Sequence, residues 1–429
     1  AAGSRCQSQG RRRPTMRRRR GGPCQEPRLL IACLLALART AMAVTCDRLG
    51  ELATPPGCAL AANENYLQVT RDGNLPTIAP GADLGDGGDL RTLYWVEYYQ
   101  APEDPTKTVP LLVVHGLGYS HKYLSTLKYL ACVSPSSGTR YRIIFYDQMG
   151  TGKSALKGGD GEAQEAPTSL EYYTTELQAM VQGVVLKKNS GPFHLLGHGW
   201  GGALALSYAT TFPGFIEAKM ASLILASPMA PSAKYAANGV VKAIEAEIPP
   251  FYGDLLLGQI QGDPDFPGAL RCFQDVLNSR ISPAPDCVEG ADVFSGGQVQ
   301  RVMWGEYPWV VDGTLSDMDF SPMLPRILVP TYVCVGEHDI YPVESLEHLR
   351  QIPYTHTEVV PRSGHLVTVD NFGFMYKSLG KWLADTDSLP YLAAGVRGPD
   401  GAVAAVGTGT ESRFGQPQQA AGAAAAADP

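Results

Sequence analysis

At 429 residues the chain is long enough for one large α/β domain with an insertion, or for two domains. Its hydrophobic content of 44% suits a globular protein with a sizeable core. A net charge of −7, with arginine concentrated near the beginning of the chain, argues against a nucleic-acid-binding protein. Peptides and small molecules are therefore the expected partners.

Residues 1–45 have the features of a targeting segment. Arginine clusters lie on both sides of Met16, an apolar run follows at 29–38, and a small-x-small sequence ends at Ala43. This order is typical of a secretory signal peptide, with an organellar transit peptide as the alternative. The apolar run is too short to span a bilayer, so we expect no stable membrane anchor. The sequence predicts a protein of the secreted or endomembrane-lumen class, or alternatively a plastid or mitochondrial one.

Three of the nine cysteines fall in the targeting segment, and an even number remains after it. Cys46 with Cys58 and Cys272 with Cys287 are plausible local disulfide loops. Cys334 lies in an apolar run and is expected to be a packed thiol. The spacing of cysteine and histidine matches no metal site, so we predict no metal.

After this segment the chain begins with a predicted antiparallel pair. Residues 66–69 and 93–99 are rich in aromatic and β-branched residues, and they flank an acidic, glycine-rich loop at 81–89. The acids of this loop offer ligands for calcium, but without ordered spacing a solvated hairpin loop is the preferred interpretation. Continuous apolar runs at 110–114 and 143–146 then indicate strands buried on both faces, as in a parallel sheet covered by helices.

The strand and helix alternation continues to residue 383. A helix is predicted at 169–187 and further strands at 221–226, 330–336 and 357–360, with a closing helix at 372–383. About a hundred residues without strand pattern separate the strand at 221–226 from the strand at 330–336. The sequence therefore predicts a mostly parallel sheet with helices on both faces.

These patterns divide the chain into five parts. Residues 1–45 are the targeting segment, and 46–227 and 325–386 are the two parts of the sheet domain. Residues 228–324 read as helices with loops and are predicted to form an inserted cap. Residues 387–429, rich in Gly, Ala, Pro and Gln, are predicted to be a disordered tail.

The central feature of the sheet domain is the sequence FHLLGHGWGG at 193–202. It reads as a buried strand, a sharp turn between glycines and the beginning of a helix, which is the layout of a nucleophile elbow. The elbow pattern requires Gly-x-Ser-x-Gly. Aligning its outer glycines with Gly197 and Gly201 places Gly199 at the nucleophile position. Because glycine tolerates a strained turn, this residue keeps the fold and deletes only the hydroxyl.

Functional groups of a parallel sheet collect in the loops after its strands. Gly116 and Leu117 follow the strand at 110–114, and their loop would supply a backbone N–H to an oxyanion hole together with that of Trp200. A plain glycine turn is the alternative for this loop. The loop at 147–154 imitates a phosphate-binding loop, but Asp147 stands where that motif needs glycine, which argues against nucleotide binding.

Two further loops complete a catalytic order. Asp339 follows the strand at 330–336, and His365 follows the strand at 357–360. An elbow, then an acid, then a histidine is the order of the α/β-hydrolase triad, in which the acid orients the imidazole as general base. The residue order thus predicts an α/β-hydrolase fold with an inserted helical cap.

The chain from about residue 66 to 383 resembles the proline iminopeptidase family of α/β hydrolases, close to its tricorn-interacting-factor and amino-acid-amidase branch. The motifs that carry the resemblance are HGxGxSHxY at 115–123, DQxGxGxS at 147–154, GHGWGG at 197–202, Gly313-Thr314-Leu315 and GEHD at 336–339. Members cleave N-terminal residues, often proline, or related amides and esters, through a serine acyl-enzyme and without a cofactor. The resemblance implies Asp339 as the acid, His365 as the base and a peptide or amino-acid amide or ester as substrate.

The sequence departs from this family at its functional positions. The family serine falls on Gly199, and the second glycine of its HGGPG motif falls on Leu117. Glutamates that hold the free amine of the substrate in the tricorn-factor branch fall on Ile340 and Pro308, with Glu306 near enough to substitute.

Two hypotheses follow from these departures. The chain is an aminopeptidase or amidase whose site is impaired at Gly199, or it is a pseudo-hydrolase that binds a ligand or partner in a pocket under the cap. Gly116 and the aromatic residues Trp304, Tyr307 and Trp309 are the expected lining of that pocket. His198 is not expected to replace the serine, because its side chain should point away from the tip of the elbow.

Overall fold

The computed structural model describes residues 44–76, 90–155, 167–188, 191–229, 231–292 and 297–387. The predicted targeting segment up to residue 43, the acidic loop at 81–89 and the tail from residue 388 lie outside the described residues.

Within the described residues, one sheet of eight strands forms the centre of the fold, in the order β1-β2-β4-β3-β5-β6-β7-β8. The strands are β1 Leu60–Thr70, β2 Leu90–Gln100, β3 Thr108–Val114, β4 Arg140–Tyr146, β5 Phe193–His198, β6 Met220–Ala226, β7 Thr331–Gly336 and β8 Thr355–Val360. The pairs β1/β2 and β2/β4 are antiparallel, and the pairs from β4 through β8 are parallel. This confirms the predicted antiparallel pair and the predicted mostly parallel sheet.

Helices and helical turns connect the strands. The α-helices are α1 Cys46–Ala53, α2 Leu170–Met180, α3 Leu186–Lys188, α4 Trp200–Thr211, α5 Pro213–Lys219, α6 Ala233–Glu247, α7 Pro250–Leu257, α8 Phe266–Phe273, α9 Asp286–Asp292, α10 Gly297–Met303, α11 Glu344–Leu349, α12 Val367–Asp370 and α13 Phe372–Asp387. Segments of 3₁₀-helix occur at His121–Cys132, Gly152–Ser154 and Ser321–Arg326, and segments of π-helix occur at Val181–Val185 and Gln274–Asn278. Helices α6 to α10 lie between β6 and β7, where the sequence predicts the cap.

The two faces of the sheet are both covered. Alternate residues of β3 belong to different cores: Leu112 and Val114 pack with α2 and α4, whereas Leu111 and Val113 pack with α13. Because side chains alternate along a strand, a strand that is apolar at every position is buried on both faces. With both faces covered, the loops that follow the carboxyl ends of the strands are the part of the sheet open to a ligand.

The disulfide pairs differ from the sequence prediction. Cys46 is bonded to Cys287, and Cys58 is bonded to Cys132. The predicted local pairs Cys46 with Cys58 and Cys272 with Cys287 are therefore wrong. The reason is that α1 and α9 both pack against the helical segment His121–Cys132, which brings distant cysteines together.

Cys334 is a free, buried thiol in β7, as predicted. Among the helices of the described ranges, none has the length and hydrophobicity to cross a bilayer.

Candidate active site

The elbow forms where β5 meets α4. Gly199 has φ 55° and ψ −120°, a backbone conformation that costs energy for any residue with a side chain. Its N–H donates to the Ala226 carbonyl at 3.3 Å, and its own carbonyl accepts the Met229 N–H at 3.1 Å. The flanking glycine is also required, because a β-carbon on Gly197 would lie 2.1 Å from the Gly201 carbonyl oxygen. Position 199 is thus held at the tip of a tight strand-to-helix turn.

His365 and Asp339 form a buried pair beside this turn. The Nδ1 of His365 lies 2.9 Å from Asp339 Oδ1, which also accepts the Tyr341 N–H at 3.0 Å. Asp339 Oδ2 accepts the Gly336 N–H at 3.1 Å. Burial opposes ionisation of this carboxyl, but the His365 imidazole and the hydrogen bonds outweigh it and lower the pKa of Asp339. An ionised Asp339 keeps the proton of His365 on Nδ1, which leaves Nε2 free to act as a base.

The free nitrogen of His365 is directed at position 199. A β-carbon added to Gly199 would lie 3.2 Å from His365 Nε2. A hydroxyl on that carbon would therefore come within hydrogen-bond reach of the base, which is the geometry that activates a nucleophile. Asp339, His365 and position 199 therefore lie in the order that an acid, a base and a nucleophile require, but Gly199 carries no hydroxyl.

The predicted oxyanion residues lie on the same cavity. Leu117 and Trp200 both line the space in front of Gly199, as does Gly116. The Gly116 N–H donates to the Tyr123 hydroxyl at 2.7 Å, so it is not the donor that faces an oxyanion. Trp200 is the first residue of α4, and N–H groups in the first turn of a helix have no partner within it.

The space in front of Gly199, here called the inner cavity, has a volume of about 80 Å³. His365 and Tyr341 form one part of its wall, and Trp304 comes from the segment after α10. Ile340 and Pro308, the positions at which the resembling branch carries amine-binding glutamates, both line it. Both positions named by the resemblance thus face the cavity, but this chain has no carboxylate at either of them.

Three of the predicted substrate-binding residues are not part of the inner-cavity wall. Glu306 is half-exposed and forms an ion pair with Arg301 at 3.0 Å. The Tyr307 and Trp309 rings stack on each other at 4.9 Å. Trp304 alone of the predicted aromatic set lines the cavity, and its Nε1 donates to the Pro308 carbonyl at 3.1 Å.

A larger space, here called the outer chamber, adjoins the inner cavity and has a volume of about 370 Å³. Tyr119, Gln274 and Asn278 line both spaces. Arg271 and Asp275 line the outer chamber only. Arg271, Gln274, Asp275 and Asn278 belong to the cap and lie far from every recognised motif, so no sequence signal pointed to them.

Comparison with known proteins agrees with this geometry. Residues 111–374 match the model of the alpha/beta hydrolase family. The chain belongs to the alpha/beta hydrolase family.

Relatives of this hydrolase include proline iminopeptidases. One from Lactobacillus crispatus is 27% identical over 310 residues, which cover 70% of this chain and 98% of the relative. One from Thermoplasma volcanium is 28% identical over 250 residues, which cover 56% of this chain and 77% of the relative. The crystal structure of a proline iminopeptidase from Mycobacterium smegmatis has a TM-score of 0.59 at 23% identity and covers 73% of this chain and 98% of that chain. The predicted resemblance and the predicted α/β-hydrolase fold are confirmed.

A buried hydrogen-bond chain in this hydrolase was not predicted. The Gly116 N–H donates to the Tyr123 hydroxyl, which lies 2.8 Å from His198 Nδ1, and His198 Nε2 lies 3.0 Å from the His365 carbonyl oxygen. A carbonyl only accepts, so Nε2 of His198 carries the proton and Nδ1 accepts from Tyr123. Burial lowers the pKa of His198 to about 3, so the ring is neutral at physiological pH. Both ring nitrogens are occupied, which excludes His198 as a replacement nucleophile.

A second unpredicted network holds the oxyanion loop against the elbow. Gln148 accepts from Trp200 Nε1 at 2.9 Å and donates through Nε2 to the His115 carbonyl at 2.7 Å. Its backbone N–H donates to His115 Nε2 at 3.0 Å. Gln148 belongs to the DQxGxGxS motif, so the motif itself was the available signal for this role.

In the described part of the chain, one group of side chains has metal-ligand spacing: Cys46, Asp286 and Cys287. Both sulfurs are joined in a disulfide. Asp286 Oδ1 accepts the backbone N–H groups of Cys46 and Cys287, each at 2.9 Å. This group therefore acts as a structural anchor for α1 and α9.

Proposed function

We propose that this chain is a proline iminopeptidase-like hydrolase of amide or ester bonds, acting on N-terminal residues or small amides by a Ser-His-Asp type mechanism. Gly199 stands at the nucleophile position, and acyl transfer is therefore impaired. His365 would act as general base toward position 199, with Asp339 orienting its imidazole. Leu117 and Trp200 would supply backbone N–H groups to the oxyanion.

The observation that carries the proposal is the position of His365 Nε2, which lies 3.2 Å from where a β-carbon of residue 199 would stand. Without a hydroxyl, the remaining base and oxyanion groups can still assist attack by water. Hydrolases that lose triad members retain a rate roughly 10³ to 10⁴-fold above the uncatalysed reaction, far below a working enzyme.

The test is restoration of activity by Gly199→Ser. Turnover is measured on aminoacyl-arylamides, including the prolyl compound, and on short acyl esters. Loss of the serine in a related mechanism lowers kcat by about 10⁶-fold, so we expect a gain on the order of 10⁴-fold or more on at least one substrate. A Gly199→Ala variant has the same backbone strain without the hydroxyl and should gain nothing. No gain with Gly199→Ser on any substrate would refute the proposal.

Gly199 itself favours a second candidate, a catalytically inactive pseudo-hydrolase. In this alternative the inner cavity binds a small ligand or a partner without turning it over. Ligand binding by the chain with Gly199, combined with inactivity of Gly199→Ser, would favour this alternative.

We further propose that the protein is secreted or enters the endomembrane lumen, with plastid or mitochondrial import as the alternative. The disulfides Cys46–Cys287 and Cys58–Cys132 support this proposal, because stable disulfides are typical of oxidising compartments. Expression of the full chain in eukaryotic cells, followed by fractionation and amino-terminal sequencing of the mature protein, tests it. Recovery of an uncleaved protein from the cytosol would contradict both destinations.

A further inference from the structure

The wall of the inner cavity, within the described part of the chain, has no carboxylate side chain to pair with a cation. Among the described residues that line it, none is an aspartate, glutamate, lysine or arginine. Trp304 and Phe273 are buried aromatic residues of this wall, and Ile340 is a buried aliphatic one. Its polar side chains include the neutral amides of Gln274 and Gln300. Such a wall favours transfer of an apolar group from water.

Tyr123, Tyr341 and His198 of the inner-cavity wall add no negative charge at neutral pH. Burial raises the pKa of Tyr123 and the pKa of Tyr341, so both phenols remain protonated. Burial lowers the pKa of His198 to about 3 and keeps its imidazole neutral. A cationic ligand would therefore meet no opposite charge at this wall.

Two carboxylates lie close to wall residues in the sequence, but each is already paired with other groups. Asp339 is occupied by His365 and by two backbone N–H groups. Glu306 is paired with Arg301 at 3.0 Å and does not line the inner cavity. Charged side chains appear in the outer chamber, where Arg271 and Asp275 contribute to the wall.

We propose that the inner cavity binds an uncharged, apolar acyl group and discriminates against a free N-terminal amine, so that the ligands of this site are neutral acyl amides or esters. This inference rests on the small-amide and ester part of the proposed function and narrows it, because N-terminal residues with a free amine would be disfavoured at that same site. An ammonium group entering the inner cavity loses its hydration without gaining a carboxylate partner, whereas an apolar group of the same shape gains from burial.

The experiment compares two ligands of the same ring size that differ in charge. Prolinamide carries an ammonium at pH 7, and cyclopentanecarboxamide replaces its ring nitrogen with carbon. Binding to the protein with Gly199 is measured by calorimetry or by ligand-detected NMR, without any turnover. We expect cyclopentanecarboxamide to bind at least about tenfold more tightly than prolinamide.

Gln300→Glu is the variant that tests the physical cause. A β-carbon added to Gly118 would lie 3.0 Å from Gln300 Oε1, so this side chain lies over the oxyanion loop at the cavity wall. The isosteric carboxylate should reduce or reverse the preference for the neutral ligand. Gln261→Glu is the matched control, because Gln261 is exposed and is not part of the inner-cavity wall. It should leave the preference unchanged.

Equal affinity for the two ligands, tighter binding of prolinamide, or no detectable binding of cyclopentanecarboxamide would overturn the inference. An unchanged preference in Gln300→Glu would also overturn it. These results are independent of catalysis. Failure of Gly199→Ser to gain activity bears on the proposed function, whereas the binding comparison bears on the ligand class alone.

Discussion

Replacement of Gly199 by alanine tests the elbow geometry separately from its chemistry. The residue has φ 55° and ψ −120°, and a side chain in such a backbone conformation costs about 1–3 kcal/mol. The added β-carbon would also stand 3.2 Å from His365 Nε2, so the imidazole must yield by a few tenths of an ångström. Reduced entropy of the unfolded chain offsets about 0.4–1 kcal/mol of this cost. We therefore expect Gly199→Ala to lower the free energy of unfolding by about 1–2 kcal/mol.

The measurement is equilibrium unfolding in urea with the disulfides intact. Gly214→Ala is the matched control: a β-carbon there meets nothing within 4 Å, and the residue lies in helix α5. Alanine is preferred over glycine in a helix by up to about 1 kcal/mol, so this control should be neutral or stabilising. Gly199→Ser should lose less stability than Gly199→Ala, because its hydroxyl can donate to His365. Unchanged or increased stability of Gly199→Ala would refute the assigned strain at the elbow.

Three further variants test other parts of the structure. Tyr123→Phe removes a hydroxyl that joins two buried hydrogen bonds, so it should lower the free energy of unfolding by about 1–3 kcal/mol in urea titrations. An unchanged midpoint of the urea unfolding curve would contradict the buried hydrogen-bond chain through Tyr123. Burial raises the pKa of Glu176 from 4.5 to about 8, so the folded state holds a proton that the unfolded state releases. The free energy of unfolding should therefore fall by roughly 3 to 5 kcal/mol as pH rises from about 4.5 to about 8. Glu176→Gln should remove this part of the pH dependence. Equal pH dependence of the unfolding free energy in the two proteins would exclude the raised pKa of Glu176. Cys46→Ser breaks the bond to Cys287 and should cost about 2–5 kcal/mol in thermal or urea unfolding, whereas no loss would show that the bond does not constrain the unfolded chain.

The elbow, Asp339 and His365 were predictable because each is marked by a local signal. Gly199 is identified by the glycines around it, Asp339 follows a buried apolar strand, and His365 follows a partly polar strand. Parallel strands place the loops after them on one edge of the sheet, so residues far apart in the chain meet there. The sequence order was therefore enough to bring Asp339 and His365 to the candidate site.

The supporting contacts were not predictable in the same way. The hydrogen bond from Tyr123 to His198 depends on how the segment His121–Cys132 packs against the sheet, and no local pattern encodes that distance. The Cys46–Cys287 bond spans 241 residues and depends on the packing of α1 and α9 against one shared segment. Loop spacing favoured the shorter pairs, and tertiary packing determined the longer ones.

The aromatic segment after α10 shows a third limit. Composition indicated that Trp304, Tyr307 and Trp309 would line one pocket, but the turn that follows Trp304 directs them differently. The Asp312 N–H donates to the Trp304 carbonyl at 3.0 Å and closes this turn. Trp304 then faces the inner cavity, while the other two rings stack on each other.

If His365, oriented by Asp339, is a base directed at position 199, it should activate a hydroxyl introduced there. Covalent labelling of Gly199→Ser by an organofluorophosphonate measures this activation, with intact mass and peptide mapping as the readout. We expect one adduct, on the introduced hydroxyl, and a labelling rate on the order of 10²-fold lower when His365→Gln is added. No adduct at position 199, or equal rates with and without His365, would contradict it.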